Sequence, residues 1–133
     1  MKTHKDLDVW KETMELAAIC YDVTKGFPRE EQFGLTSQMR RAAVSIGSNI
    51  AEGAARASNK EFIQFLYVSL GSASELDTQI EIARKIKLGD PSRLKTLQAR
   101  ANEVSRKLQG LIHSVKKRAQ PPITSHQSPI TEG

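Results

Sequence analysis

Residues 37–62, SQMRRAAVSIGSNIAEGAARASNKEF, decide the fold. The first half reads as a helix of small residues. Ala42, Ala43, Ser45, Gly47 and Ser48 carry so little bulk that a neighbouring helix can approach the backbone closely. Ile46 and Ile50, four apart, keep an apolar stripe on the side turned to that neighbour. Gly47 inside a helix costs about 1 kcal/mol against Ala, so a close helix contact is expected there to offset it. Gly53 reads as the stop. Ser58-Asn59-Lys60-Glu61 then reads as a capping box, in which Ser58 and Glu61 satisfy each other's exposed amides and a new helix begins.

That helix carries Phe62, Ile63, Phe65, Leu66, Tyr67, Val68 and Leu70. At about 100° per residue these lie on every side, and a helix apolar all round has to be buried all round. A small bundle covers only one face. Phe62, Ile63, Phe65, Tyr67 and Val68 are therefore expected to serve a subunit contact. Ala73, Leu76, Ile80 and Ala83 extend the inner seam towards Gly89, read as the end of that helix. Asp90-Pro91 supplies a cap and a first helical residue for the last one. There Leu94, Leu97, Ala101, Val104, Leu108, Leu111 and Val115 recur at 3-4 spacing, with Arg93, Arg100 and Lys107 beside them every seven residues.

Working back, Asp6 or Asp8 is expected to cap a first helix whose seam is Leu7, Trp10, Met14, Ala17 and Tyr21. Lys25-Gly26 and Phe27-Pro28 stop it, and residues 29–34 form a charged connector with room for one helical turn. The second helix starts near Thr36 or Ser37, with Leu35, Met39, Ala42, Ala43, Ile46 and Ile50 inward. Four amphipathic helices, short connections and no strand signal predict an all-α, antiparallel up-down-up-down four-helix bundle over residues 1–118. Residues 119–133, with Pro121, Pro122 and Pro129 among Ser and Thr, lack apolar periodicity and are expected to be a disordered tail.

Of 133 residues, 38% are hydrophobic and 26% charged, the balance of a soluble globular chain. No apolar run nears the ~20 residues needed to cross a bilayer. The opening residues hold Lys2, Lys5, Asp6 and Asp8 with no hydrophobic segment, so no secretory leader and a cytoplasmic location are expected. Cys20, the single cysteine, reads as a small core residue. His4, His113 and His126 are scattered without metal-ligand spacing, and no phosphate loop or nucleophile elbow occurs. Neither a cofactor nor catalysis is expected. The net charge of +5 is uneven: residues 90–118 carry +6 and residues 1–35 carry −2. A basic quarter beside an acidic one points to a polyanion-facing surface, against the plainer reading of a solvated helix rich in Lys and Arg.

Arg40-Arg41-Ala42-Ala43-Val44-Ser45-Ile46 and Ser48-Asn49-Ile50-Ala51-Glu52-Gly53 form a recognisable pattern. With Phe27-Pro28, Glu30-Glu31, GLTSQ at 34–38 and FIQFLYVSLGSASEL at 62–76, it resembles the four-helix-bundle proteins encoded by intervening sequences within bacterial 23S rRNA genes. The resemblance spans roughly residues 7–118. One position departs: Gly47 stands where that family commonly has proline, which would kink the helix by removing a backbone donor. The resemblance implies a homopentameric barrel with a basic surface. It also implies kinship with accessory proteins of diversity-generating retroelements, which bind nucleic acid and a reverse transcriptase.

Two functions follow. In the first, the chain is a non-catalytic, oligomeric RNA- or DNA-binding module. It would set Arg93, Arg100, Arg106, Lys107, Lys116, Lys117 and Arg118 against phosphates, joined by Arg40, Arg41 and Arg56. Few aromatics are free for stacking, so shape and backbone recognition is expected. In the second, it is a protein-binding scaffold, such as an accessory subunit for a reverse transcriptase, and the charge steers the partner. Glu52, near a helix C-terminus, is expected to pair with Arg56 or Arg41. Asn49 is expected to bond a neighbouring helix backbone.

Overall fold

The computed structural model describes residues 3–119. Helices α1 (Asp8–Thr24), α2 (Leu35–Ala54), α3 (Asn59–Lys85) and α4 (Pro91–Ala119) follow one another, with 3-10 turns at His4–Asp6 and Arg29–Glu31. Each helix packs on its two neighbours around the bundle, and among the described residues the backbones of the diagonal pairs do not approach closely. Partners run in opposite order on every pair. Arg40 reaches Thr24 while Gly47 meets Thr13; Ser45 meets Ser72 while Gly53 meets Phe65. Arg84 meets Gln98 while Tyr67 meets Lys116; Arg93 meets Asp22 while Lys107 meets Glu12. The bundle is therefore antiparallel and up-down-up-down. Ala119, the one described residue of the expected tail, is the last of α4, and the rest of the tail lies outside the described residues.

The inner seams of α2 and α3 fall where the spacing places them, with Met39, Ala42, Ala43, Ile46 and Ile50 facing Leu66, Ala73, Leu76, Ile80 and Ala83 in the core. On α4 the seam holds from Leu94 to Leu108, after which Ile112 takes the inner place expected of Leu111, now half-buried. The expected seam of α1 is displaced by one residue. Val9, Thr13, Leu16, Cys20 and Val23 are buried, whereas Met14 and Tyr21 are exposed. Thr13 explains the displacement: its hydroxyl donates to the Trp10 carbonyl at 2.7 Å, so a polar residue can point inward satisfied. A Cβ at Gly47 would stand 2.5 Å from Met14 Cε and 2.7 Å from Thr13 Oγ1. Glycine there lets α1 close on α2, the compensation its helical position calls for.

Several helix ends differ from expectation. Leu7 holds the cap position of α1, which therefore has no side-chain cap. α2 begins at Leu35 after Gly34, one residue ahead of Thr36, because Glu31 Oε1 accepts the Leu35 N–H at 3.1 Å. Gly53 does not end α2. It is buried inside the last turn, where a Cβ would lie 2.6 Å from Phe65 Cβ and 3.0 Å from the Phe62 ring, so α3 starts hard against it. Nor does Gly89 end α3. Lys87, at φ 61°, does so: its N–H donates to Arg84 O at 3.2 Å, and the Leu88 N–H donates to Ala83 O at 2.9 Å. Gly89 follows at φ 64°, with the Phe27 ring 2.9 Å from where its Cβ would be. Of the expected capping box the Ser58 half forms, its hydroxyl accepting the Glu61 N–H at 3.2 Å, while no return bond from the Glu61 carboxylate to the Ser58 amide occurs among the described residues. Asp90 also caps, accepting the Ser92 amide and hydroxyl at 3.0 Å each. Those two bonds hold the Asp90 carboxyl below its ordinary value of 3.8.

Candidate nucleic-acid interface

The cations of α4 occupy two edges that behave differently. Arg93, Arg100 and Lys107 recur every seven residues and so share the edge turned to α1. There they meet an acidic row. Arg93 pairs with Asp22, Arg100 with Glu15 at 2.8 Å, and Lys107 with Glu12, with Glu103 a further 3.6 Å from the same ammonium. The Glu12 hydrogen bond holds Lys107 above its ordinary value of 10.5. These three were expected to face phosphates, and the structure places them in a ladder that ties α4 to α1.

Opposite that ladder, Lys95, Ala99, Asn102, Arg106, Gly110, His113 and Lys117 follow one another at 4-3-4-4-3-4 spacing, which is a single helical stripe. All are exposed, and among the described residues no carboxylate pairs with Lys95, Arg106 or Lys117. Lys95 is the member that sequence reasoning missed, although the 3-4 spacing outside the apolar seam was there to be read. The acidic ladder of α1 stops at Glu12, level with Lys107, and Lys116, Lys117 and Arg118 lie more than two turns further on. No ion pair binds Lys116, Lys117 or Arg118 among the described residues. The unpaired charge of α4 therefore gathers on its outward face and its C-terminal end.

Lys116 has a neutral partner. Its Nζ donates to the Tyr67 hydroxyl at 2.7 Å and lies 5.1 Å from the ring centroid, nearly twice as far. The ammonium thus sits out beyond the phenol oxygen and does not cover the ring face. Tyr67 and Lys116 edge a cleft of about 210 Å³ between α3 and α4, with Leu70, Gln109, Ile112 and His113.

The arginines of α2 have separate tasks. Arg40 Nε donates to Thr24 Oγ1 at 2.8 Å and its second amino group to Tyr21 O at 3.2 Å, with the guanidinium 4.5 Å from the Tyr21 ring. It closes the C-terminal end of α1, where positive charge suits the helix dipole. Arg41 is exposed beside an open groove with Gln38, Val44 and Glu75. Arg56 pairs with Glu52 at 3.1 Å and lies 4.8 Å from the Phe65 ring, so of the two partners expected for Glu52 it is Arg56 that forms the pair. Asn49 turns back on its own helix and not on a neighbour, its amide donating to Ser45 O at 2.8 Å and Ser45 Oγ at 2.9 Å. The Ser45 hydroxyl meets that of Ser72, and Ser69 donates to Ile46 O at 2.7 Å, so the close α2–α3 contact is lined by satisfied hydroxyls.

The five residues expected at a subunit contact divide. Phe62 is core, packed on Gly53. Ile63 and Phe65 are half-buried, and Tyr67 and Val68 are exposed. Tyr67 is turned to α4 by Lys116, whereas Val68, one turn before Ser72, lies on the α2 edge of α3. Burial pushes the Cys20 thiol up to about 12, only partly countered by the nearby Arg40, which keeps it an inert core group. No helix among the described residues is long and apolar enough to cross a membrane.

A family model described as 23S rRNA-intervening sequence protein matches residues 5–110. A solved structure from Bacteroides thetaiotaomicron VPI-5482, described as a protein with unknown function from the S23 ribosomal protein family, superposes with a TM-score of 0.73. At 24% identity the alignment covers 79% of this chain and 95% of that one, a likeness of fold. A search of curated proteins finds no match.

Proposed function

We propose, from the premise that the chain belongs to the 23S rRNA-intervening sequence protein family, that it is a non-catalytic, oligomeric bundle of the cytoplasm that binds RNA or DNA. The observation that carries this reading is the exposed, unpaired stripe Lys95, Arg106 and Lys117, continued by Lys116 and Arg118 at the end of α4. Cations already closed on carboxylates gain little from a phosphate, because the pair must open first. Unpaired ones neutralise phosphates directly and release condensed counterions. Such contacts position a polyanion without reading its bases, so binding is largely independent of sequence.

The test is a salt titration of labelled RNA and DNA of unrelated sequence. Affinity should fall linearly in log salt, with a slope of roughly 0.7–0.9 per neutralised phosphate. No binding at low salt would overturn the reading and leave a protein partner, such as a reverse transcriptase, in its place. The exposed Val68 and, one turn before it, the half-buried Phe65 support a contact between copies, since apolar side chains grouped on one helix edge mark interaction surfaces. Light scattering should report a ring, with five copies expected; a single subunit at high concentration would remove that part.

A further inference from the structure

We propose that the α3–α4 cleft at Tyr67 is a pocket for one unpaired nucleotide, its base stacked on the Tyr67 ring and its phosphate taken by Lys116 and Lys117. The inference rests on the nucleic-acid reading above and names which form of nucleic acid this surface prefers. Two observations carry it. First, Tyr67 is an exposed aromatic held at its tip: 47% exposed, its hydroxyl tied to Lys116 at 2.7 Å, with the ammonium beyond the oxygen and off the ring. A ring held at its tip loses little freedom when a base settles on it.

Second, the side chains around the cleft have the chemistry a nucleotide uses. Gln109 offers both a donor and an acceptor amide to a base edge, Ile112 and Leu70 give an apolar floor, and Lys116 stands at the rim, one residue before Lys117 of the free stripe. Stacking of this kind is tolerant of base identity, which agrees with sequence-independent binding, but it requires the base to be out of a duplex.

Fluorescence anisotropy on the full chain tests this with three probes of equal length: a single strand, the same strand with abasic sites, and a duplex. The single strand should bind about ten-fold tighter than the abasic strand. Tyr67→Leu should bring the single strand down to the abasic level, Tyr67→Phe should retain most of the difference, and helicity and particle mass should not change. Equal affinity for single and abasic strands, with salt dependence intact, would overturn the pocket while leaving phosphate binding standing. A change of particle mass in Tyr67→Leu would assign the ring to a subunit contact and overturn the pocket as well. Failure of all three probes to bind would remove the nucleic-acid reading itself.

Discussion

The two edges of α4 carry similar numbers of cations and have opposite consequences. On the edge facing α1, Arg93, Arg100 and Lys107 each close on a carboxylate, so the charge is cancelled where it stands. On the outward edge, Lys95, Arg106 and Lys117 face solvent with no carboxylate paired to them among the described residues. A positive balance along a helix is therefore a poor guide to where a polyanion would sit. What matters is which cations the neighbouring helix has already neutralised.

The largest effect on this contrast comes from beneath it. Leu108 is fully buried in the seam that supports both edges, and Leu108→Ala should cost about 2–5 kcal/mol in a denaturant titration. Nucleic-acid affinity should fall only as far as the unfolded fraction grows, and a larger loss would place Leu108 in a binding role. A smaller effect is expected from Glu15→Gln, which leaves Arg100 without its carboxylate. Stability should drop by less than about 1 kcal/mol, and the drop should shrink in high salt, as for exposed pairs generally. Affinity for nucleic acid should rise by about two- to three-fold at low salt, since one more cation is freed. An unchanged affinity would show that the α1 carboxylates mask nothing.

The smallest effect is expected at the start of α4. The Ser92 hydroxyl and amide hold the Asp90 carboxyl below its ordinary 3.8, so its contribution to stability is present above that value. It fades as pH falls through the lower folded-state value. Asp90→Asn should flatten the acid limb of the stability curve below about pH 4 while leaving affinity at pH 7 unaltered. A flat acid limb in the native chain would contradict the capping role.

Much of the fold was legible because it depends on local rules. The 3-4 seams of α2, α3 and α4, the Ser58 and Asp90 caps and the stop before Phe27-Pro28 follow from spacing and backbone chemistry. The misreadings have a common cause. Thr13 points inward because its hydroxyl is satisfied by the Trp10 carbonyl and Gly47 of another helix makes room, and that room is not visible in α1 alone. Gly53 looks like a stop when only α2 is considered, yet its lack of a Cβ serves Phe62 and Phe65. The pairing of the α4 cations was hidden for the same reason. Arg93, Arg100 and Lys107 meet partners 71, 85 and 95 residues away in the chain. The spacing of Glu12, Glu15 and Asp22 along one face of α1 was the available signal for that ladder. The outward stripe through Lys95 could have been found by following the 3-4 rule away from the apolar seam.

The most direct measurement compares two charge-reversed triples in one salt-controlled binding assay: Arg93→Glu, Arg100→Glu, Lys107→Glu against Lys95→Glu, Arg106→Glu, Lys117→Glu. The account predicts that the first triple loses mainly thermal stability. The second should keep its melting temperature, lose nucleic-acid affinity by at least about a hundred-fold and shed roughly one unit of salt slope per contacting cation. If the α1-facing triple abolishes binding at unchanged stability while the outward triple binds like the native chain, the interface lies on the other edge and the assignment is wrong.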